Sequence, residues 1–313
     1  MKKYLIFWVT SMAVFSAVHI AAASQNQKEN TMTLPLPKII AHRGGPNDWP
    51  PNTVCAFRKD MEAGVDAIEL DVQVTKDNVV VLFHPEDLSE QTNVAGKIAD
   101  KTAAEVTALD ASAKYKGPAD FQQACTPNEL KIPKLTDVLN RFPNTTFFVD
   151  LKSLPAEPLV KAIARDVPKK DFRHIIFYST NAEHIVTVEK YLPQAPHFEE
   201  RATTFNRLIT FAGTHQCTLP NKASYVGFEL SRDLDICEKF KLGGNCFKTS
   251  FEMWSPESFS CSENMTQSAK IIFFGIDTPE AYEQAWSLGA YGVYSNSPKA
   301  LIEWKRSHQG VIR

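Results

Sequence analysis

The sequence predicts an α/β fold: a (β/α)8 TIM barrel with a disulfide-stapled late insertion. Three observations carry the prediction. Short apolar or β-branched runs alternate with segments of helical pattern, eight such runs can be counted, and four successive runs end in ionisable side chains. Alternation of strands and helices implies a parallel sheet, and eight such strands close into a barrel. All C-terminal strand ends of a barrel open on one face, where barrel enzymes do their chemistry.

The expected strands are 38–42, 66–74, 79–84, 146–152, 174–179, 225–230, 270–276 and 291–295. A further candidate at 196–200 makes the number eight or nine and leaves strand six open. The link Thr75-Lys76-Asp77-Asn78 is too short for a helix, so the second and third strands are joined irregularly. Segments 94–130 and 202–222 read as long loops with short helices, the usual place for substrate contacts. No internal repeat and no low-complexity segment is present.

The first residues carry Lys2 and Lys3, then a mostly apolar run that closes in Ala21, Ala22 and Ala23. That is the pattern of a secretory signal cut after Ala23, and Ser11, Ser16 and His19 argue against an uncleaved anchor. The expectation is a secreted or periplasmic protein with no stable membrane insertion after cleavage and a single barrel domain over 24–313. Without the leader the chain has 32 basic and 36 acidic side chains, a formal −4. A nucleic-acid partner is disfavoured, because phosphate-backbone binding needs clustered positive charge. All six cysteines follow the leader, which fits an oxidising compartment. Four of them lie between Cys217 and Cys261, and their spacing suits disulfides better than zinc. Cys237 with Cys246 can close locally, with Cys217 to Cys261 as a second bridge. Cys55 and Cys125 are equally a third pair or two buried thiols.

The stretch Ile39-Ile40-Ala41-His42-Arg43-Gly44-Gly45 runs from a core strand straight into a histidine and an arginine. Arginine is disfavoured at a core position unless a partner or anion neutralises it, and paired glycines let backbone approach a ligand closely. Residues two apart on a strand share a face, so Glu69 projects with Asp71, and Asp150 with Lys152. His84 ends the third run. Three converging carboxylates repel by about 4 kcal/mol per pair at ~4 Å and an effective dielectric of ~20, so a cation must sit between them. All-oxygen ligands select Mg²⁺, Ca²⁺ or Mn²⁺ over zinc. His42 and His84 can act as acid and base near neutral pH, and Arg43 and Lys152 remain to hold an anion. Together these describe a phosphoryl-transfer site. A lone strand-end carboxylate is usually a surface or capping residue; coincidence at four strand ends is what favours function. The other histidines, His174, His184, His197, His215 and His308, lack such neighbours and read as structural or surface groups.

At these residues the sequence resembles the glycerophosphodiester phosphodiesterase family. His42-Arg43-Gly44-Gly45, the Pro50-to-Phe57 segment, Glu69-Leu70-Asp71, His84 and the Asp150-Leu151-Lys152 motif follow the family's order and spacing over 39–152, and 271–298 resembles its closing strands. Residues 197–268 match poorly and hold most of the cysteines. The resemblance implies a TIM barrel, one divalent cation, Ca²⁺ or Mg²⁺, and hydrolysis of a small glycerophosphodiester to glycerol 3-phosphate and an alcohol. It gives His42 and His84 as the acid/base pair, Glu69, Asp71 and Asp150 as metal ligands, and Arg43 and Lys152 as phosphate contacts.

Departures accompany the likeness. Pro51 stands where the family has Glu, Asp150 where Glu is usual, Pro85 for Asp, Glu90 for Arg, Phe274 for Trp and Asn296 for Asp. Asp48 or Asn47, in the same loop as Pro51, is the candidate for the lost carboxylate. Two other readings stand beside hydrolysis of small diesters. One is a lysophospholipase D or sphingomyelinase D-like activity, which the 27-residue separation of His42 and Glu69 disfavours. The other is a phosphodiester-binding protein without turnover. Trp49 is a candidate for cation–π contact with a choline.

Overall fold

The structure, a computed structural model, describes residues 34–218, 223–240, 243–265 and 269–308. The expected leader at 1–23 lies outside them.

The first unit is β1 (Lys38–Ala41), α1 (Val54–Ala63) and β2 (Ala67–Val74). Helix α1 begins because the Thr53 hydroxyl accepts the Ala56 amide, and it ends because Gly64 takes φ +91°, a conformation costly to other residues. Strand β2 is buried along its whole length, as expected of a strand covered on both faces. There follow β3 (Val80–Leu82), a long excursion with one-turn helices at Ala103–Thr107 and Phe121–Ala124, α2 (Leu135–Arg141) and β4 (Phe147–Leu151). Then come α3 (Ala156–Asp166), β5 (Ile175–Tyr178), α4 (Ala182–Tyr191), α5 (Arg201–Thr214) and β6 (Tyr225–Glu229). The chain next forms β7 (Ser231–Phe240), β8 (Gly243–Glu252) and α6 (Pro256–Met265). It closes through β9 (Lys270–Phe274), α7 (Pro279–Leu288), β10 (Gly292–Ser295) and α8 (Pro298–His308).

Seven parallel strands curl in the order β5-β4-β2-β1-β10-β9-β6, a TIM-like arrangement with the helices outside. The two ends of that path meet the same short segment. Phe198 donates its amide to Phe177 of β5 at 2.9 Å, and Glu199 donates to Tyr225 of β6 at 2.8 Å. The period-two pattern separates two cores. Ile68, Leu70 and Val72 face the helices together with Phe147, Val149 and Leu151. Ile40, Ala67, Phe148, Ile176, Phe198, Tyr225, Ile272 and Tyr294 fill the space inside the sheet.

Three expectations change. The run 79–84 is no parallel stave: β3 pairs antiparallel with β2, Val72 opposite Leu82, because a four-residue link can only turn the chain back. Segment 202–222 is not a loop with short helices, since Arg201–Thr214 is one helix capped by the Glu200 carboxylate, which accepts the Ala202 and Thr203 amides. The cysteine-rich stretch contains a ten-pair antiparallel hairpin, β7 on β8. Disulfides Cys217–Cys261 and Cys237–Cys246 staple this late insertion, and Cys55–Cys125 ties α1 to the long excursion. No helix among the described residues is long and apolar enough to cross a membrane.

Candidate active site

All seven residues singled out in the sequence meet at the C-terminal ends of the strands. His42, Arg43, Glu69, His84, Asp150 and Lys152 line one cavity of about 480 Å³, with Asp71 fully buried beneath it. The turn that carries Arg43 is left-handed over three residues, φ +53° at Arg43, +78° at Gly44 and +69° at Gly45. A Cβ at Gly44 would lie 2.7 Å from that of Ala56, so close packing of the turn on α1 requires glycine there. The Arg43 amide donates to Glu69 Oε2 at 2.8 Å, and its Nε faces Asp71 Oδ2 at 3.1 Å.

The carboxylates Glu69, Asp71 and Asp150 each offer an oxygen within 4.8 Å of the others. Lys152 reaches Asp150 at 2.6 Å and Asp71 at 3.2 Å. One oxygen on Asp150 is buried with no hydrogen-bond partner, and the buried Asp71 oxygen beside Lys152 has that ion pair but no hydrogen bond. Unsatisfied buried carboxylate oxygens converging on a point are what a hard divalent cation would complete, so this donor set fits Ca²⁺ or Mg²⁺. Burial, reinforced by Asp71, pushes Glu69 up to about 8. Burial likewise raises Asp150 to about 7 against the pull of Lys152. Asp71 goes the other way: burial opposes its charge, but Arg43, Lys152 and His84 outweigh that and hold it below the usual carboxylate range.

Both histidines are weak bases here. Burial and the Arg43 charge lower His42. Burial, with Arg43 and Lys152, lowers His84 to about 4 although Asp71 opposes it. His42 Nδ1 lies 2.7 Å from Asn296 Oδ1, while the Asn296 side-chain amide donates to Asp277 Oδ2 at 2.9 Å. A carboxylate only accepts, so Asn296 must turn its oxygen to His42 and Nδ1 must carry the proton. That leaves Nε2 of the neutral ring with its lone pair, 3.8 Å from Glu69 Oε2. His84 is held differently: Gln73 Nε2 donates to the carbonyls of Phe83 at 3.0 Å and Pro85 at 2.7 Å, fixing the turn that presents the ring.

Residues 42–199 match the glycerophosphoryl diester phosphodiesterase family. The chain belongs to that family. It is 34% identical over 276 residues to the uncharacterized protein Rv2277c of Mycobacterium tuberculosis, spanning 86% of this chain and 90% of that one. The crystal structure of the glycerophosphoryl diester phosphodiesterase domain of Rv2277c superposes with a TM-score of 0.78 at 33% identity, covering 87% of this chain and all of that one. A glycerophosphodiester phosphodiesterase of Caldanaerobacter subterraneus is 32% identical over 51% of this chain and 64% of its own length. An Oleispira antarctica phosphodiesterase, solved with its product sn-glycerol-3-phosphate, shares the fold at 20% identity, with a TM-score of 0.62 and coverage of 87% and 97% of the two chains.

Against the family pattern, Pro51 has no carboxylate substitute. Asp48 accepts the Lys299 amide at 3.1 Å and Asn47 donates to Ser297 at 2.9 Å, and neither lines the cavity that holds the carboxylates. The next residue does the polar work. Asn52, at φ +57° and buried, donates to Asp71 Oδ2 at 2.9 Å and accepts the Asp71 amide at 3.1 Å. Trp49 also stays away from the cavity and packs against the disulfide cluster of Cys55 and Cys125. Asn52, Gln73, Asp277 and Asn296 were given no role by sequence reasoning. The last two sit at strand ends, where the pattern that exposed Glu69 and Asp150 could have found them.

Proposed function

We propose that this protein is an exported, metal-dependent glycerophosphodiester phosphodiesterase that releases glycerol 3-phosphate and an alcohol, working on a closed eight-stave barrel whose fifth stave is the segment around Phe198. One observation carries the reading: two histidines and three carboxylates converge on one cavity with two cations beside them. Glu69, Asp71 and Asp150 would hold a divalent cation, and when bound it would supply positive charge and Lewis acidity to the phosphate. Arg43 and Lys152 orient the phosphate. His42, whose lone pair is fixed on Nε2, takes the proton from the attacking oxygen, of water or of the neighbouring glycerol hydroxyl whose cyclic phosphate water then opens, as the new P–O bond forms and the P–O bond to the alcohol breaks. His84 gives a proton to the departing alkoxide, and the negative phosphate beside it favours its charged form.

Export is supported by the leader pattern and by three disulfides. The surface lends the lysolipid alternative little support. Among the described residues the large exposed apolar side chains are scattered, Leu154 near the Lys152 strand end and Phe247 in the hairpin, rather than gathered in a continuous groove. The reading is tested by glycerol 3-phosphate release from glycerophosphoglycerol and glycerophosphocholine by the purified chain, alongside His42→Ala and His84→Ala. Each variant should lose about 10² to 10⁴ in rate. Binding of both diesters without turnover in the presence of either ion would instead establish a binding protein.

A further inference from the structure

The wall of the cavity contributed by β5, β6 and the residues that follow them carries charge that hydrolysis itself does not use. Arg201 donates to both oxygens of Glu229, at 2.6 and 2.8 Å, and to the Tyr178 hydroxyl at 3.2 Å. Its guanidinium lies 4.3 Å from the centre of the Phe228 ring, and that of Arg232 lies 5.7 Å from the same ring, so no more than 10 Å separates the two. Both line the same cavity as the two histidines. Arg232 is exposed, and no carboxylate pairs with it among the described residues. Glu229 therefore neutralises Arg201 and leaves the wall with a net positive charge.

The side of the cavity that holds the carboxylates differs. There, Arg43 and Lys152 already face Asp71 and Asp150, and a dication plus one phosphate leaves that side close to neutral. Arg201, Glu229 and Arg232 also all lie beyond the residues 42–199 that match the family, and Arg232 belongs to the hairpin insertion. The second cation set lies in the later half of the chain.

We propose that Arg232, with Arg201, forms a second anion subsite, and that the preferred diester carries a further phosphate on the alcohol beyond the scissile bond. This rests on the hydrolase reading of the same cavity. Guanidinium groups suit the role because their planar donors match phosphate oxygens in pairs. A quaternary ammonium at the same place would meet a like charge. Choline diesters are accordingly poor substrates despite the aromatic rings nearby.

The test compares kcat/KM for three diesters with Mg²⁺ or Ca²⁺ present: glycerophosphocholine, glycerophosphoglycerol and glycerophosphoglycerol bearing a terminal phosphate. The phosphorylated diester should exceed the neutral one by about tenfold, the scale of one charged hydrogen-bonded contact. In Arg232→Gln that preference should disappear while turnover of glycerophosphoglycerol persists, and in Arg232→Glu the choline diester should become the better substrate. Equal kcat/KM for the three, or a preference unchanged in Arg232→Gln, overturns the subsite while leaving the hydrolase reading intact. If none of the three is hydrolysed, the hydrolase reading fails. The subsite is then read by calorimetry with glycerol 1,3-bisphosphate against glycerol 3-phosphate, where equal affinities, or a difference retained in Arg232→Gln, overturn it.

Discussion

Asn296 fixes the tautomer of His42: its side-chain oxygen lies 2.7 Å from Nδ1, and Asp277, 2.9 Å from the amide nitrogen, prevents the amide from turning over. Asp277 also accepts the Asn296 backbone amide at 2.6 Å and the Ser295 hydroxyl at 3.2 Å, so strand end, relay and ring move as one unit. Asp277→Asn removes the reason for that orientation and lets Nδ1 lose its proton. The expected result is a drop of about 10- to 100-fold in kcat with little change in KM, the usual effect of losing a partner that orients a functional side chain. The acid limb of the pH–rate profile should move as well, which a merely loosened fold would not produce.

Asn52 joins the left-handed turn after Pro51 to the deepest carboxylate through two hydrogen bonds. Asn52→Ala leaves the buried Asp71 amide without its acceptor and Asp71 Oδ2 with only the Arg43 contact, at a cost of about 1 to 3 kcal/mol, and it adds about 1 kcal/mol because alanine resists the left-handed backbone. Asn52→Gly loses the bonds but tolerates the backbone. Thermal unfolding should therefore rank wild type above Asn52→Gly, with Asn52→Ala lowest.

The disulfides should differ in weight. Cys55–Cys125 closes a 70-residue separation between α1 and the excursion, worth about 4 kcal/mol in the chain-entropy account. Cys237–Cys246 closes only 9 residues, near the end of a hairpin that stands outside the parallel sheet. Replacing the first pair by serine should lower the global unfolding midpoint clearly. Replacing the second should leave it nearly unchanged and increase hydrogen exchange within the hairpin alone.

His184, buried behind the Lys152 strand end, bonds Ser179 at 2.8 Å and the Ser153 carbonyl at 2.7 Å. Burial lowers its affinity for a proton below that of an ordinary histidine. The folded state thus binds fewer protons than the unfolded chain, and the contribution of His184 is complete above about pH 6.5. It is lost as pH falls from there through the lowered folded value. Chemical denaturation at a series of pH values should show stability declining below about 6.5, and His184→Gln should flatten that decline.

Much of this was written in local pattern. Glu69 with Asp71, and Asp150 with Lys152, were visible because a strand's two-residue period states which side chains share a face, and burial made their charge conspicuous. The same rule failed at 79–84, where composition says strand and only the length of the connection says antiparallel. Phe198 was ambiguous for the opposite reason: one buried aromatic bonded to a strand on either side is too short a segment for periodicity to register. The hairpin is obscured by its cysteine spacing, although Gly243 and Gly244 between alternating runs mark such a turn. Asn296 and Asp277 could not be paired with His42 from sequence at all, since their bonds join residues as many as 254 apart.

The most direct test of the account is glycerol 3-phosphate release from glycerophosphoglycerol by the wild-type chain after EDTA treatment and after return of Ca²⁺ or Mg²⁺, beside Glu69→Gln. The account predicts activity that disappears with chelation, returns with one of the two ions and is absent in the variant under every condition. Undiminished turnover in EDTA, or a Glu69→Gln enzyme as active as the wild type, would contradict it.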